Sequence, residues 1–170
     1  GSGTRTVRRP GQGALPLLGI EAEPDETEQL AGSAKRALEV KPAFDRYVFI
    51  ERSAKRFAAL KRLADDHPEC KTEFRKGDAN EEIRSLCASV PWQKWPGVRA
   101  VMFLDPYGMT VEWGTLEAIA KTEAIDVWYL FPILGVCRQA ALDFAKVDQN
   151  KSAALTKVLG TDEWKSVFYL

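Results

Sequence analysis

Four short runs of β-branched and aromatic residues, each followed by a segment of helical periodicity, constrain this chain more than any other feature. The first run, Arg46 to Ile50, ends at Glu51 and reads as a buried strand. Ser53 then stands where a helix N-cap belongs, and Phe57, Leu60 and Leu63 follow at helical spacing. His67-Pro68 should stop that helix. A more polar strand is expected over Lys71 to Lys76, closing at Gly77-Asp78, with a helix from Ala79 to Ala88 that turns Ile83, Leu86 and Cys87 inward. Val98 to Leu104 is strongly apolar, ends at Asp105-Pro106 and fits a central parallel strand. A helix over Glu112 to Lys121 would place Trp113, Leu116, Ile119 and Ala120 on its apolar side. Ile125 to Phe131 is a further strand, stopped by Pro132.

Outside these units, Glu26 to Val40 reads as a helix despite Gly32, after a loop-like segment rich in proline and glycine. The tail from Arg138 to Leu170 is helical in character, with Trp164, Phe168 and Tyr169 available to pack; Trp113 and Trp128 also read as core. Strands alternating with helices of this length imply βαβ units. The expected fold is α/β and Rossmann-like, a mostly parallel sheet with helices on both faces. It would form one domain over residues 1–170, with a mainly helical part over 132–170. In such a sheet ligands bind outside the carboxyl ends of the strands, which gives the acids there their interest.

Composition narrows the partners. Lys plus Arg and Asp plus Glu each total 24, so net charge gives no long-range pull toward nucleic acid or an anionic membrane. Arg5, Arg8 and Arg9 nevertheless make a local basic loop, either solvated or available to a phosphate. Cys70, Cys87 and Cys137 are far apart and odd in number, so free and mostly buried thiols in a reducing cytoplasm are expected rather than zinc or disulfides. No metal site is expected. No apolar run approaches the roughly 20 residues that span a bilayer. The chain opens on Gly1-Ser2-Gly3 without Met, as a fragment, a processed product or a tagged product would.

Four places could carry chemistry. Glu51 can accept hydrogen bonds from both hydroxyls of a ribose, or can interact with the dipole of the next helix for about 0.3–1 kcal/mol. Asp78 can meet an adenine amino group or cap its helix. Gly1 and Gly3 allow close backbone approach to a cofactor, and are equally the composition of a linker. At Asp105-Pro106-Tyr107-Gly108 the carboxylate and the Pro106 carbonyl can both accept from an amino group, and the Tyr107 ring can stack on a base or cover a methyl donor; the bland reading is a β-turn. His67 has no visible Ser or Cys partner, so a His-based nucleophile is not expected. Trp92 and Trp95 read as loop packing rather than a base-stacking platform.

In combination, FDRYVFIE (44–51), GDANEE (77–82), FLDPYGMTVEW (103–113) and IDVWYLFP (125–132) resemble the three-Cys-motif partner protein family in order and approximate spacing. The resemblance extends upstream through LPLLG (15–19) and ETEQLAGSAKRAL (26–38) and covers essentially the whole chain. It implies a Rossmann-like S-adenosylmethionine-dependent methyltransferase of bacterial, cytoplasmic type. Gly1 and Gly3 would correspond to the cofactor loop, Glu51 to the ribose acid and Asp78 to the adenine contact. Asp105, Pro106 and Tyr107 are similar to the DPPY-type tetrapeptide of amino-group methyltransferases, although one Pro is followed here by Tyr-Gly. The family's strand before the Gly-rich loop, a central one, is missing. A protein partner with a three-Cys motif is implied.

Three functions follow as expectations. The first is methyl transfer to an amino nitrogen of a nucleic-acid base or protein, with Asp105 accepting from the nucleophile, Pro106 orienting it and Tyr107 walling the pocket. The second is a non-catalytic interaction subunit that keeps the fold and works with the three-Cys-motif protein. The third is a NAD-binding α/β domain, weakened because no full GxGxxG is present.

Overall fold

The structure is a computed structural model in which residues 4–7, 28–93 and 97–169 are described, with side chains from Gly32 onward. Gly1 and Gly3, residues 8–27, which hold most of the segment expected as loop between Gly1 and Glu26, and Trp95 lie outside the described residues, while Thr4–Val7 of that segment is strand and not loop. The chain forms two compact units, residues 1–76 and 77–170.

In the first unit, β1 (Thr4–Val7) pairs antiparallel with β2 (Glu28–Ala31). Helix α1 covers only Ser33–Glu39, beginning after Gly32. The helix expected over Glu26 to Val40 is therefore corrected: its described first turn is strand, and Gly32 marks the change. Gly is a poor helix-interior residue because it has the most backbone freedom to lose. Then come β3 (Tyr47–Ile50), α2 (Ala54–Asp65) and β4 (Thr72–Arg75), with β3 and β4 parallel and Tyr47 opposite Thr72. Ser53 caps α2 as expected, accepting from the Arg56 N–H at 3.5 Å. Leu38, Tyr47, Leu60 and Ala64 are buried in this unit. Phe57 meets Phe74 edge-on, with centroids 6.1 Å apart, tying α2 to β4.

The second unit continues the alternation. Helix α3 (Ala79–Ser89) precedes β5 (Ala100–Leu104), α4 (Trp113–Lys121) and β6 (Ile125–Tyr129). Strands β5 and β6 are parallel, in the register Ala100 with Ile125 through Leu104 with Tyr129. Three α-helices follow, α5 (Ile133–Ala140), α6 (Gln149–Leu159) and α7 (Trp164–Phe168), with a short 3-10 turn at Phe144–Lys146 between the first two. Val136, Leu155, Val158 and Trp164 form its core, against which Met109 and Tyr169 pack. Gly160 ends α6 in the left-handed conformation (φ 75°), and a Cβ there would collide with the Trp113 ring. That close approach requires glycine twice over.

The four expected strands are thus present and in parallel pairs. They form two separate two-stranded ladders rather than one sheet, and among the described residues no strand joins the two. The α/β class holds.

Side chains alternate across a strand, so the register puts Val101, Phe103, Asp126 and Trp128 on one face. That face is exposed: Val101 is 50%, Phe103 48% and Trp128 68% accessible. Trp128 and Trp113 (42% accessible) are therefore not core residues, whereas Trp164 is. Apolar character alone cannot tell a covered face from an uncovered one. The buried stripe of α4 also differs from expectation, for Thr115 and Ile119 are buried while Trp113 and Ala120 are exposed.

Candidate functional site

Each parallel pair presents an acid just beyond its strand ends. In the first unit Glu51 follows β3 directly. Its Oε1 accepts from the Ser53 N–H at 2.7 Å and from Arg56 Nη2 at 3.1 Å, and its Oε2 accepts from Arg56 Nε at 2.8 Å. This is a two-pronged guanidinium–carboxylate pair set on the first turn of α2. Partial burial pushes the Glu51 carboxyl upward, but the bonds from Arg56 and Ser53 outweigh it and hold the group below the ordinary carboxylate value. Glu51 is therefore a deprotonated acceptor whose present donors are local. Arg56 is 61% exposed at its side chain, so it can swing away from the carboxylate without opening a core.

In the second unit Asp78 is the N-cap of α3. Its Oδ1 accepts from the Asn80 N–H at 3.0 Å, which realises the capping role anticipated for it. Asp105 follows β5 directly and is exposed. Pro106 is half-buried, Tyr107 is 97% accessible, and Gly108 takes the left-handed conformation (φ 70°) that lets the chain turn. The turn is fixed from its flanks. Leu104 is buried, and its carbonyl accepts from the Leu130 N–H at 2.9 Å; Met109 packs on the C-terminal core; Val111 is buried. Gly135 gives Met109 its space, because a Cβ there would come within 2.9 Å of Met109 Cγ.

A polar cluster that periodicity does not reveal stands behind this turn. Asn80 is 7% accessible and Thr115 is fully buried. Asn80 Nδ2 donates to the Thr110 carbonyl at 3.0 Å, while its Oδ1 accepts from the Glu112 N–H at 3.0 Å and from Thr115 Oγ1 at 2.9 Å. Arg84 Nη1 donates to Thr115 Oγ1 at 3.1 Å and to Glu112 Oε2 at 3.2 Å, and Lys157 meets Glu112 Oε1 at 3.0 Å. The Lys157 bond is the largest influence on the Glu112 carboxyl; burial opposes it, and the charge of Lys157 together with Arg84 leaves the group below its ordinary value. The sequence signal that could have found Asn80 is a polar residue three before Ile83 on the buried stripe of α3.

Glu51 belongs to the first unit, and Asp78 and Asp105 to Tyr107 to the second. His67 is half-buried beside Glu69, with 3.5 Å between Nδ1 and the carboxylate. Trp92 donates to the Cys87 carbonyl at 3.0 Å, which is loop packing. Among the described residues no group of acids, histidines and cysteines could hold a metal ion. The three cysteines are free as expected, but Cys70 and Cys87 are only half-buried and Cys137 is exposed. No described helix is long and apolar enough to cross a membrane. No protein-family model, curated protein or solved structure matches this chain.

Proposed function

We propose that this chain is the cofactor-binding core of an S-adenosylmethionine-dependent methyltransferase with a Rossmann-like fold, acting on an amino nitrogen of a nucleic-acid base or a protein. One observation carries the reading: β3 and β5, each the first strand of its own parallel pair, each end directly on an acid before the next helix, the kind of strand end at which α/β sheets bind ligands. Each acid, taken within its own unit, has the chemistry of an acceptor for a ribose hydroxyl or an amine. Glu51 is an ionised acceptor whose guanidinium partner is exposed and would yield to ribose hydroxyls. Asp78 uses one oxygen on its cap and would offer the carboxylate to the adenine amino group. Gly1 and Gly3 would form the cofactor loop.

When bound, the cofactor supplies an electrophilic methyl group. Asp105 would accept a hydrogen bond from the attacking amine, the Pro106 carbonyl would fix its direction, and Tyr107 would close over it once a ligand is present. Positioning of this kind is a large part of such catalysis. A three-Cys-motif protein is the proposed partner.

A second reading, a non-catalytic interaction subunit, is favoured by a different observation. The β5–β6 face bearing Val101, Phe103 and Trp128 is exposed, and so is Tyr107. The two readings separate on ligand binding. Titration with S-adenosylhomocysteine should show an affinity lowered about tenfold or more in Glu51→Gln, the scale of a lost charged hydrogen bond, and little changed in Asp105→Ala. Methyl transfer should fall in Asp105→Ala. Wild-type affinity in Glu51→Gln would remove the ribose role, and competition by NAD would point to the dinucleotide alternative.

A further inference from the structure

We propose that Asn80 is a positioning residue that ties the segment following the Asp105–Tyr107 turn, Thr110 to Glu112, to the start of α3, so that a ligand beside Asp78 stiffens the stretch that carries the turn receiving the acceptor. The ligand part of this inference rests on the methyltransferase reading; the clasp itself does not. Asn80 sits two residues after Asp78, and its own N–H bonds the Asp78 carboxylate at 3.0 Å. Its side chain reaches the segment that follows the other turn and grips it on both sides of Val111, through the Thr110 carbonyl and the Glu112 N–H, each at 3.0 Å.

The chemistry selects asparagine. A carbonyl can only accept and an N–H can only donate, so the gripping side chain must offer one donor and one acceptor from a planar group. Aspartate would turn an oxygen toward the Thr110 carbonyl. Leucine would leave both backbone groups, and the Thr115 hydroxyl, without this partner. The cluster is buried, and every contact of the Asn80 amide named here is short and of matched polarity. A buried network of matched polar contacts rigidifies its surroundings, whereas a half-satisfied one is costly. Thr115, with Arg84 behind it, fixes the Asn80 oxygen so that the grip cannot rotate away.

The experiment is amide hydrogen exchange followed by mass spectrometry on the whole chain. Without ligand, a peptide spanning Leu104 to Glu112 should exchange about tenfold faster in Asn80→Ala and in the near-isosteric Asn80→Asp, while the Gln149–Leu159 helix keeps wild-type protection. Should Asn80→Ala fail to fold, the Thr115 pair decides: Thr115→Val should speed exchange of the same peptide about threefold, and Thr115→Ser, which keeps the hydroxyl, should match wild type. Wild-type exchange in Asn80→Asp and Thr115→Val overturns the clasp. Saturating S-adenosylhomocysteine should slow the peptide in wild type and not in Asn80→Asp; equal slowing in both overturns the coupling. If the probe fails to bind wild type, the methyltransferase reading falls while the ligand-free arm still decides whether Asn80 holds that segment.

Discussion

The turn after β3 and the turn after β5 occupy equivalent places, yet they are built in opposite ways. Glu51 is engaged on both oxygens by Arg56 and by the first turn of its own helix, within six residues of chain. Asp105 and Tyr107 are exposed, while the flanks Leu104 and Met109 are packed into the unit and the Asn80 cluster grips Thr110 and Glu112 further on. The first turn is therefore a local device, and the second depends on tertiary packing. An acid held by near neighbours can be exchanged for another set of donors at small cost. A turn held by distant packing is presented in one shape, which suits the orientation of a nucleophile.

If that contrast is right, damage to the packing behind the second turn should have the largest effect. Gly160→Ala forces a side chain into Trp113, at the start of α4, and into an unfavourable backbone region. It should lower stability by about 2–4 kcal/mol in urea unfolding, combining overpacking with conformational strain. A loss under 1 kcal/mol would mean that Trp113 simply moves aside.

Met109→Ala tests the flank itself. Met109 is only partly buried, so about 1–2 kcal/mol is expected rather than the full cost of a core truncation. Amides from Tyr107 to Thr110 should exchange faster; unchanged exchange would show that the turn does not lean on Met109.

The first turn should respond electrostatically. In Arg56→Ala the effect of burial on Glu51 is no longer opposed by the guanidinium, so its carboxyl should titrate higher than in wild type, as read by carboxyl carbon NMR. In wild type the folded-state carboxyl is depressed, so the unfolded state binds more protons as the pH falls. Its stabilising contribution is fully present above the unfolded carboxylate value near 4.5 and is lost as pH falls through the lower folded value. Arg56→Ala should flatten that part of the stability profile, and a profile identical to wild type would refute the pairing. Ser53→Ala should be the mildest change. An N-cap is worth about 0.5–2 kcal/mol, and a 3.5 Å bond belongs at the bottom of that range.

Local chemistry was legible in the sequence. Ser53 as an N-cap, the stop at His67-Pro68, Asp78 before α3 and the four strand segments all follow from patterns a few residues long. What depended on distant neighbours was not. Trp128 has the apolar character of a core residue, but exposure is set by what covers the sheet. Gly32 divides strand from helix where helical composition alone suggested continuity. Asn80 and Thr115 are polar residues on buried faces, and only their mutual hydrogen bonds explain them. In the candidate site, residue types at strand ends pointed to Glu51, Asp78 and Asp105, while the cluster supporting the second turn required the fold.

The most direct measurement is isothermal titration of S-adenosylhomocysteine against this chain and against its Glu51→Gln variant. The account predicts saturable binding to the wild type, weakened about tenfold or more by Glu51→Gln. Absence of binding to the wild type would contradict it and leave the interaction subunit as the reading that stands.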